Sequence, residues 1–156
     1  EDSPDFRGID VALLYKTDQF EVLEFESIEV SLPPSVSQFS DTRDILRVSG
    51  KYKEEILYIY VNHWPSRSGG TSATNGKRTY AASVLRENID ALLASDPNVN
   101  IIVMGDFNDE PSSESLQNLV NSHDLYNPMQ GLQEYNRGSL NHRLKWLLFR
   151  CLRYQC

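Results

Sequence analysis

The amino-acid sequence predicts an α/β fold, and three observations carry that prediction. Two segments, 56–63 and 99–104, are strongly apolar and rich in β-branched or aromatic residues, and each runs straight into a polar cluster. Between them, over 78–94, Ala81, Ala82, Leu85, Ile89, Leu92 and Leu93 recur at helical spacing. Strand, helix, strand in that order suggests a right-handed crossover joining two strands of one sheet.

The remaining elements follow from the same rules. Residues 1–8 are polar and contain Pro4, which reads as a loop. The apolar segment 9–15 is expected to be an interior strand. Residues 20–32 alternate in places (Phe20, Val22, Phe25, Ile28, Val30, Leu32) and carry Glu21, Glu24, Glu26 and Glu29, so one or two strands near a sheet edge are expected. Pro33-Pro34 ends that segment. A short strand over 45–48 follows, with Gly50-Lys51 suited to a hairpin turn. Residues 64–77 hold Pro65, Gly69, Gly70 and Gly76 among serines and threonines, and read as a loop. Ser95-Asp96-Pro97 ends the helix. Ser112 or Ser113 can cap a second, short helix to about residue 120, with Glu114 in its first turn.

Length and composition bound the possibilities. The 156 residues suffice for one domain with a real core, and the chain is 40% hydrophobic and 24% charged. No apolar run reaches the roughly 18 residues of a membrane span. No secretory signal is visible; compartment and oligomeric state are left open. The formal net charge of -7 argues against broad nonspecific nucleic-acid binding, which uses a basic face. Clustered acids instead leave room for a cation. The charge is uneven: residues 137–156 carry five basic side chains and no acid. The two cysteines, Cys151 and Cys156, lie in that tail, and a zinc site would need more ligands.

The chemistry concentrates at two strand ends. Ile101-Ile102-Val103-Met104-Gly105-Asp106-Phe107-Asn108-Asp109-Glu110-Pro111 reads as a strand buried on both faces that opens into a polar cluster. Open α/β sheets place their ligands at such carboxyl ends. In extended chain Asp106 and Asn108 would share a side, with Phe107 turned into packing. An acid beside an amide can bind a hard cation, orient a water or meet a phosphate oxygen. The same string also suits an Asx-type turn. The second cluster is Asn62-His63-Trp64-Pro65-Ser66-Arg67-Ser68-Gly69-Gly70. His63 can pass a proton near neutral pH. Asn62 and the glycine-rich loop offer donors to an anion, and Arg67 is a candidate phosphate contact. Arg78, opening the intervening helix, and Arg7 are weaker candidates for phosphate. A satisfied histidine above a flexible loop is the alternative. If the strands are neighbours, His63 and Asp106 share one cleft, a pairing suited to attack of water on a phosphodiester.

These residues resemble the endonuclease/exonuclease/phosphatase superfamily, the deoxyribonuclease-like group. The resemblance rests on Arg7-Gly8-Ile9-Asp10-Val11-Ala12-Leu13-Leu14, Asn62-His63-Trp64-Pro65-Ser66-Arg67 and Gly105-Asp106-Phe107-Asn108-Asp109, and covers about 3–146. It implies a four-layer α/β sandwich, two packed sheets flanked by helices, of which residues 1–149 would be a part. It also implies cleavage of phosphoester bonds with magnesium, or manganese or calcium. Carried over residue by residue, His63 would stand near the scissile phosphate as acid or donor. Asp106 would orient or deprotonate water, and Asn108 would hold phosphate or, with Asp106, the metal. The parent activity is expected to be nuclease-type phosphodiester cleavage. A phosphatase or lipid phosphodiesterase of the same fold, or a non-catalytic remnant, is the alternative.

The departures shape the expectation for this chain. The family places an asparagine and a metal-binding glutamate ahead of the Arg-Gly-Ile-Asp strand, and an Asp-His pair after a later one. This sequence has only the reversed His123-Asp124. Gly138 to Trp146 resembles the approach to that later strand, but Phe149 leads into the basic tail 150–156. The expectation is a fragment truncated at both ends, with negligible activity alone and a shifted frame or arbitrary end near Phe149. An amphipathic helix through Leu140, Leu144, Leu147, Leu148 and Cys151 is the alternative for that stretch. Genomic DNA whose frame runs uninterrupted into the same tail would refute the shift.

Overall fold

The computed structural model describes residues 8–38, 42–120 and 125–135, with the backbone of 140–142, 145–147 and 152–153. Arg7, His123, Asp124, Cys151 and Cys156 lie outside the described residues. The centre is a sheet of five strands in the order β1-β2-β3-β4-β7. Its members are β1 (Phe20–Ile28), β2 (Ile45–Tyr52), β3 (Glu55–His63), β4 (Asn100–Asp106) and β7 (Leu152–Arg153). β1, β2 and β3 form an antiparallel meander; β3 and β4 are parallel and joined through α1 (Thr71–Ser95). The helices α2 (Glu114–Val120) and α3 (Gln130–Glu134) follow β4, and β5 (Leu140–His142) pairs with β6 (Lys145–Leu147) as a separate hairpin. The architecture is α/β, a partial form of the expected sandwich. No helix among the described residues is long and apolar enough to cross a membrane.

The two faces of the sheet are covered differently. On one, Ala81, Ala82, Leu85 and Ile89 of α1 and Leu116 and Leu119 of α2 pack on Tyr60, Ile101 and Val103 in the main core. These are alternate positions of β3 and β4, as the two-residue period of a strand requires. The opposite face carries a smaller cluster of Phe20, Val48, Ile59 and Val61, against which Val11, Leu13 and Ile102 rest. β4 is therefore not closed on both faces among the described residues: Ile101 and Val103 are buried, whereas Met104 is exposed.

Several expectations are corrected. Residues 9–15 form no strand. Val11 and Leu13 lean on the sheet through side chains while Leu14 is 96% exposed, so alternation is satisfied by packing without ladder hydrogen bonds. β2 runs to Tyr52, and the hairpin turn falls at Lys53, with a φ of 56°, rather than at Gly50. Gly50 is a strand residue paired with Val22 and Leu57, and the Phe20 ring lies where its β-carbon would be. β1 stops at Ile28 and contains a bulge between Val22 and Glu24. The extra residue restores parity, so Val22 and Phe25 both face away from α1. α1 begins at Thr71, inside the expected loop. Residues 140–142, 145–147 and 152–153 are extended, which excludes the helical alternative for those positions.

One buried hydroxyl ties the sheet to α1. Tyr60 donates to Asn88 Oδ1 at 2.8 Å, and burial pushes its phenol up to about 12 against the opposing pull of Arg47. An unfolded tyrosine ionises near 10. As pH rises the unfolded chain therefore loses this proton first. The stabilisation by neutral Tyr60 is intact below about pH 10 and lost as pH climbs toward about 12. Between about pH 9 and 11, wild-type protein is expected to lose about 1 kcal/mol more than Tyr60→Phe, measured by urea unfolding at both pH values. Equal losses would remove Tyr60 as the source.

Candidate active site

His63 and Asp106 are the last residues of β3 and β4, and they are register partners across the parallel ladder. Partners in register project to the same face, with strands about 4.8 Å apart. The imidazole and the carboxylate thus stand side by side on the face away from α1. The ladder continues one step further, because Trp64 N–H donates to the Asp106 carbonyl at 2.9 Å.

Beyond Asp106 the chain turns instead of staying extended. Asn108 has a φ of 49°, and its N–H donates to Asp106 Oδ1 at 3.0 Å, which makes the Asx-type turn. The expectation that Asp106 and Asn108 share a side by strand alternation is corrected: the turn brings them together. Asn108 Nδ2 donates to the Trp64 carbonyl at 2.9 Å, so its amide oxygen is the group it can offer elsewhere. Phe107 is buried edge-on against Trp64, with ring centroids 4.8 Å apart. Gly105 is obligatory. Its φ is 132°, and a β-carbon there would collide with the Asn62 carbonyl oxygen of the neighbouring strand.

The proposed phosphate donors have other occupations. Asn62 is buried, donates through Nδ2 to the Tyr60 and Met104 carbonyls, and accepts the Trp64 indole N–H at 3.1 Å. It faces α1 because it is one residue out of phase with His63. Arg78 is 0% exposed and lies two turns inside α1. Its Nε donates to Asp109 Oδ2 at 2.8 Å, its Nη1 to Thr74 Oγ1 at 2.7 Å and its Nη2 to the Thr71 carbonyl. Both residues, expected as phosphate contacts, are buried and bonded to protein groups. Arg67 donates from Nε to the Asn108 carbonyl at 2.9 Å and from Nη2 to Asp109 Oδ1 at 2.8 Å. It remains 23% exposed at the rim.

Two participants escaped sequence reading. Asp109 is buried and accepts from Arg67, Arg78 and the Ser115 hydroxyl, the last at 2.6 Å. Arg43, also buried, donates from Nε to the His63 carbonyl and from Nη2 to the Trp64 carbonyl. Nothing in the local string Thr42-Arg43-Asp44 marks that burial. Asp109 was visible only as part of the Gly-Asp-Phe-Asn-Asp string.

Among the described residues no group of three or more His, Cys, Asp or Glu could hold a metal ion. The hard oxygen donors at hand are the Asp106 carboxylate and the Asn108 amide oxygen. That pair fits an ion such as magnesium, which takes one or two protein oxygens and fills its octahedron with water and substrate phosphate.

The sequence model of the endonuclease/exonuclease/phosphatase family matches residues 1–153. By sequence alone the chain has no significant match among curated proteins. Similar folds occur in solved structures. The human Nocturnin catalytic domain with bound sulfate anion is 18% identical at a TM-score of 0.65, covering 88% of this chain and 49% of that one. Caenorhabditis elegans TDP2 is 14% identical at 0.65, covering 87% and 53%. The Bacteroides thetaiotaomicron mannosyl-6-phosphatase Bt3783 is 17% identical at 0.55, covering 90% and 55%. The chain spans about half the length of these structures, and at such identities the likeness concerns the fold.

The buried carboxylate generates a prediction. Asp109→Asn keeps the volume but leaves the guanidinium of Arg78 charged, buried and uncompensated. Unfolding free energy is expected to fall by about 3–5 kcal/mol in chemical denaturation. Arg67→Gln, at the partly exposed end of the same network, leaves Asp109 paired with Arg78 and Ser115 and is expected to cost less, about 1–3 kcal/mol. Equal costs would show that burial does not set the strength of the two pairs.

Proposed function

Since the chain belongs to the endonuclease/exonuclease/phosphatase family, we propose that the cleft at the ends of β3 and β4 binds and activates a phosphoester in a divalent-metal-dependent hydrolase. The observation that supports this most is the register pairing of His63 with Asp106 at the carboxyl ends of adjacent parallel strands. The Asp106 carboxylate, fixed by the Asn108 N–H on one oxygen, can accept a proton from water with the other. The His63 imidazole can donate to a phosphoryl oxygen. The Asn108 amide oxygen, with Nδ2 committed to the Trp64 carbonyl, is the second oxygen the site can offer. Magnesium bound through Asp106 and Asn108 would neutralise charge building on the phosphoryl group.

The substrate class is a tetrahedral oxyanion ester, and a nucleic-acid phosphodiester is the reading we adopt. A bound sulfate in the Nocturnin catalytic domain and a phosphatase among similar folds accord with that anion. The net charge of -7 favours a smaller phosphoester as the second reading, because a polyanion would be repelled.

Two measurements test the proposal. Titration with inorganic phosphate in the presence of magnesium is expected to shift the ring-proton resonances of His63, and Asp106→Asn is expected to abolish that shift. With no group of three or more His, Cys, Asp or Glu able to hold the ion among the described residues, turnover of a chromogenic phosphodiester by this chain is expected to be negligible. Rapid magnesium-dependent cleavage lost in Asp106→Ala would overturn the second expectation. A His63 spectrum indifferent to phosphate and magnesium would overturn the site itself.

A further inference from the structure

We propose that Arg67 is a positioning residue for Asn108, and that the anion it serves directly is Asp109 rather than substrate. The inference rests on the proposed role of Asn108. Its carrying observation is one guanidinium spanning two successive residues: Nε on the Asn108 carbonyl at 2.9 Å and Nη2 on Asp109 Oδ1 at 2.8 Å.

The geometry gives this bracket a specific task. Asn108 sits at a φ of 49°, a conformation that L-residues adopt at a cost and hold when their surroundings determine it. Three hydrogen bonds fix it. Its N–H meets Asp106 Oδ1, its side-chain Nδ2 meets the Trp64 carbonyl, and its own carbonyl meets Arg67. The first two bonds run from Asn108 to groups at the strand ends. The third is the one that ties its carbonyl to the loop after β3. Arg67 can hold that angle because its other arm is anchored. Asp109 is buried, and Arg78 and Ser115 grip its second oxygen from α1 and α2. The orientation of the Asn108 amide is therefore referred, through Arg67, to a carboxylate bolted to both helices. A planar fork can reach both acceptors at once; a lysine ammonium, a point charge on a flexible stem, cannot reproduce that fixed span.

The test uses the whole chain and reads Asn108 directly. In Arg67→Ala the backbone and side-chain amide resonances of Asn108 are expected to move, and the affinity for inorganic phosphate with magnesium to fall about 10–100-fold. Added guanidinium is expected to restore both, and methylammonium neither. Arg67→Lys, which keeps the charge, is expected to stay as weak as Arg67→Ala. If Arg67 were a phosphate contact, lysine would recover the affinity while Asn108 stayed unmoved in both variants, and that outcome overturns the inference. An unshifted Asn108 in Arg67→Ala overturns it regardless of phosphate. Failure of the wild-type chain to bind phosphate would instead remove the proposed function, leaving the resonances of Asn108 to decide the bracket on their own.

Discussion

The parallel pairing of β3 with β4 is the constraint on which the site depends. In a sheet the side chains alternate, so a slip of one residue would send His63 and Asp106 to opposite faces. Two features hold the register. Tyr60 and Val103 are partners that both enter the core under α1, and a slip would drive one of them out of it. Gly105 faces Asn62, whose backbone leaves no room for a β-carbon, so only glycine fits where the polar cluster begins. The Asn62 amide then crosses to the Met104 carbonyl and stitches the same step from the side-chain layer.

The ionic knot at Asp109 costs desolvation and orders what lies above it. A buried carboxylate meeting two guanidinium groups is no guarantee of stability, since apolar side chains of equal volume often serve as well. What apolar contacts lack is direction. Asp109 receives Arg67 and Arg78 along separate oxygens and Ser115 on one of them, and these three come from a loop, from α1 and from α2. Arg78 extends the set to Thr71 and Thr74, which explains why α1 starts seven residues before the expected segment at 78. The first two turns hold Gly76 and several hydroxyl residues, weak helix formers that a tertiary partner overrides.

What the sequence disclosed and what it hid divide along that line. β3 and β4 were legible because continuous apolar runs ending in polar clusters have few other readings, and the apolar stripe from Ala81 to Leu93 marked α1. The facing of His63 and Asp106 followed from those two strands being neighbours. The segment 9–15 was misread because an apolar run reports which side chains seek burial and is silent on whether the backbone finds a partner. Asn62, Arg67 and Arg78 were assigned to substrate because donors beside a histidine suit phosphate. Each is bonded to protein groups far along the chain, and only coordinates bring those groups together. Arg43 was missed for the same reason: its acceptors are the carbonyls of His63 and Trp64.

Strand parity explains where Asn62 and Arg78 lie. His63 and Asp106 share the phase of Val61 and Met104 and look away from α1. Asn62 has the opposite phase and looks into the helical layer, as do Trp64 and Phe107, which meet edge-on there. Arg78 rises from that layer. A phosphate on the histidine side is separated from Asn62 and Arg78 by the sheet itself. The helical side therefore supplies rigidity, through the Trp64–Phe107 contact and the Asp109 knot, and the opposite side carries the proposed site. Arg67 lies at the rim between them, and the Asx turn at Asn108 carries the order of the first side across to the second.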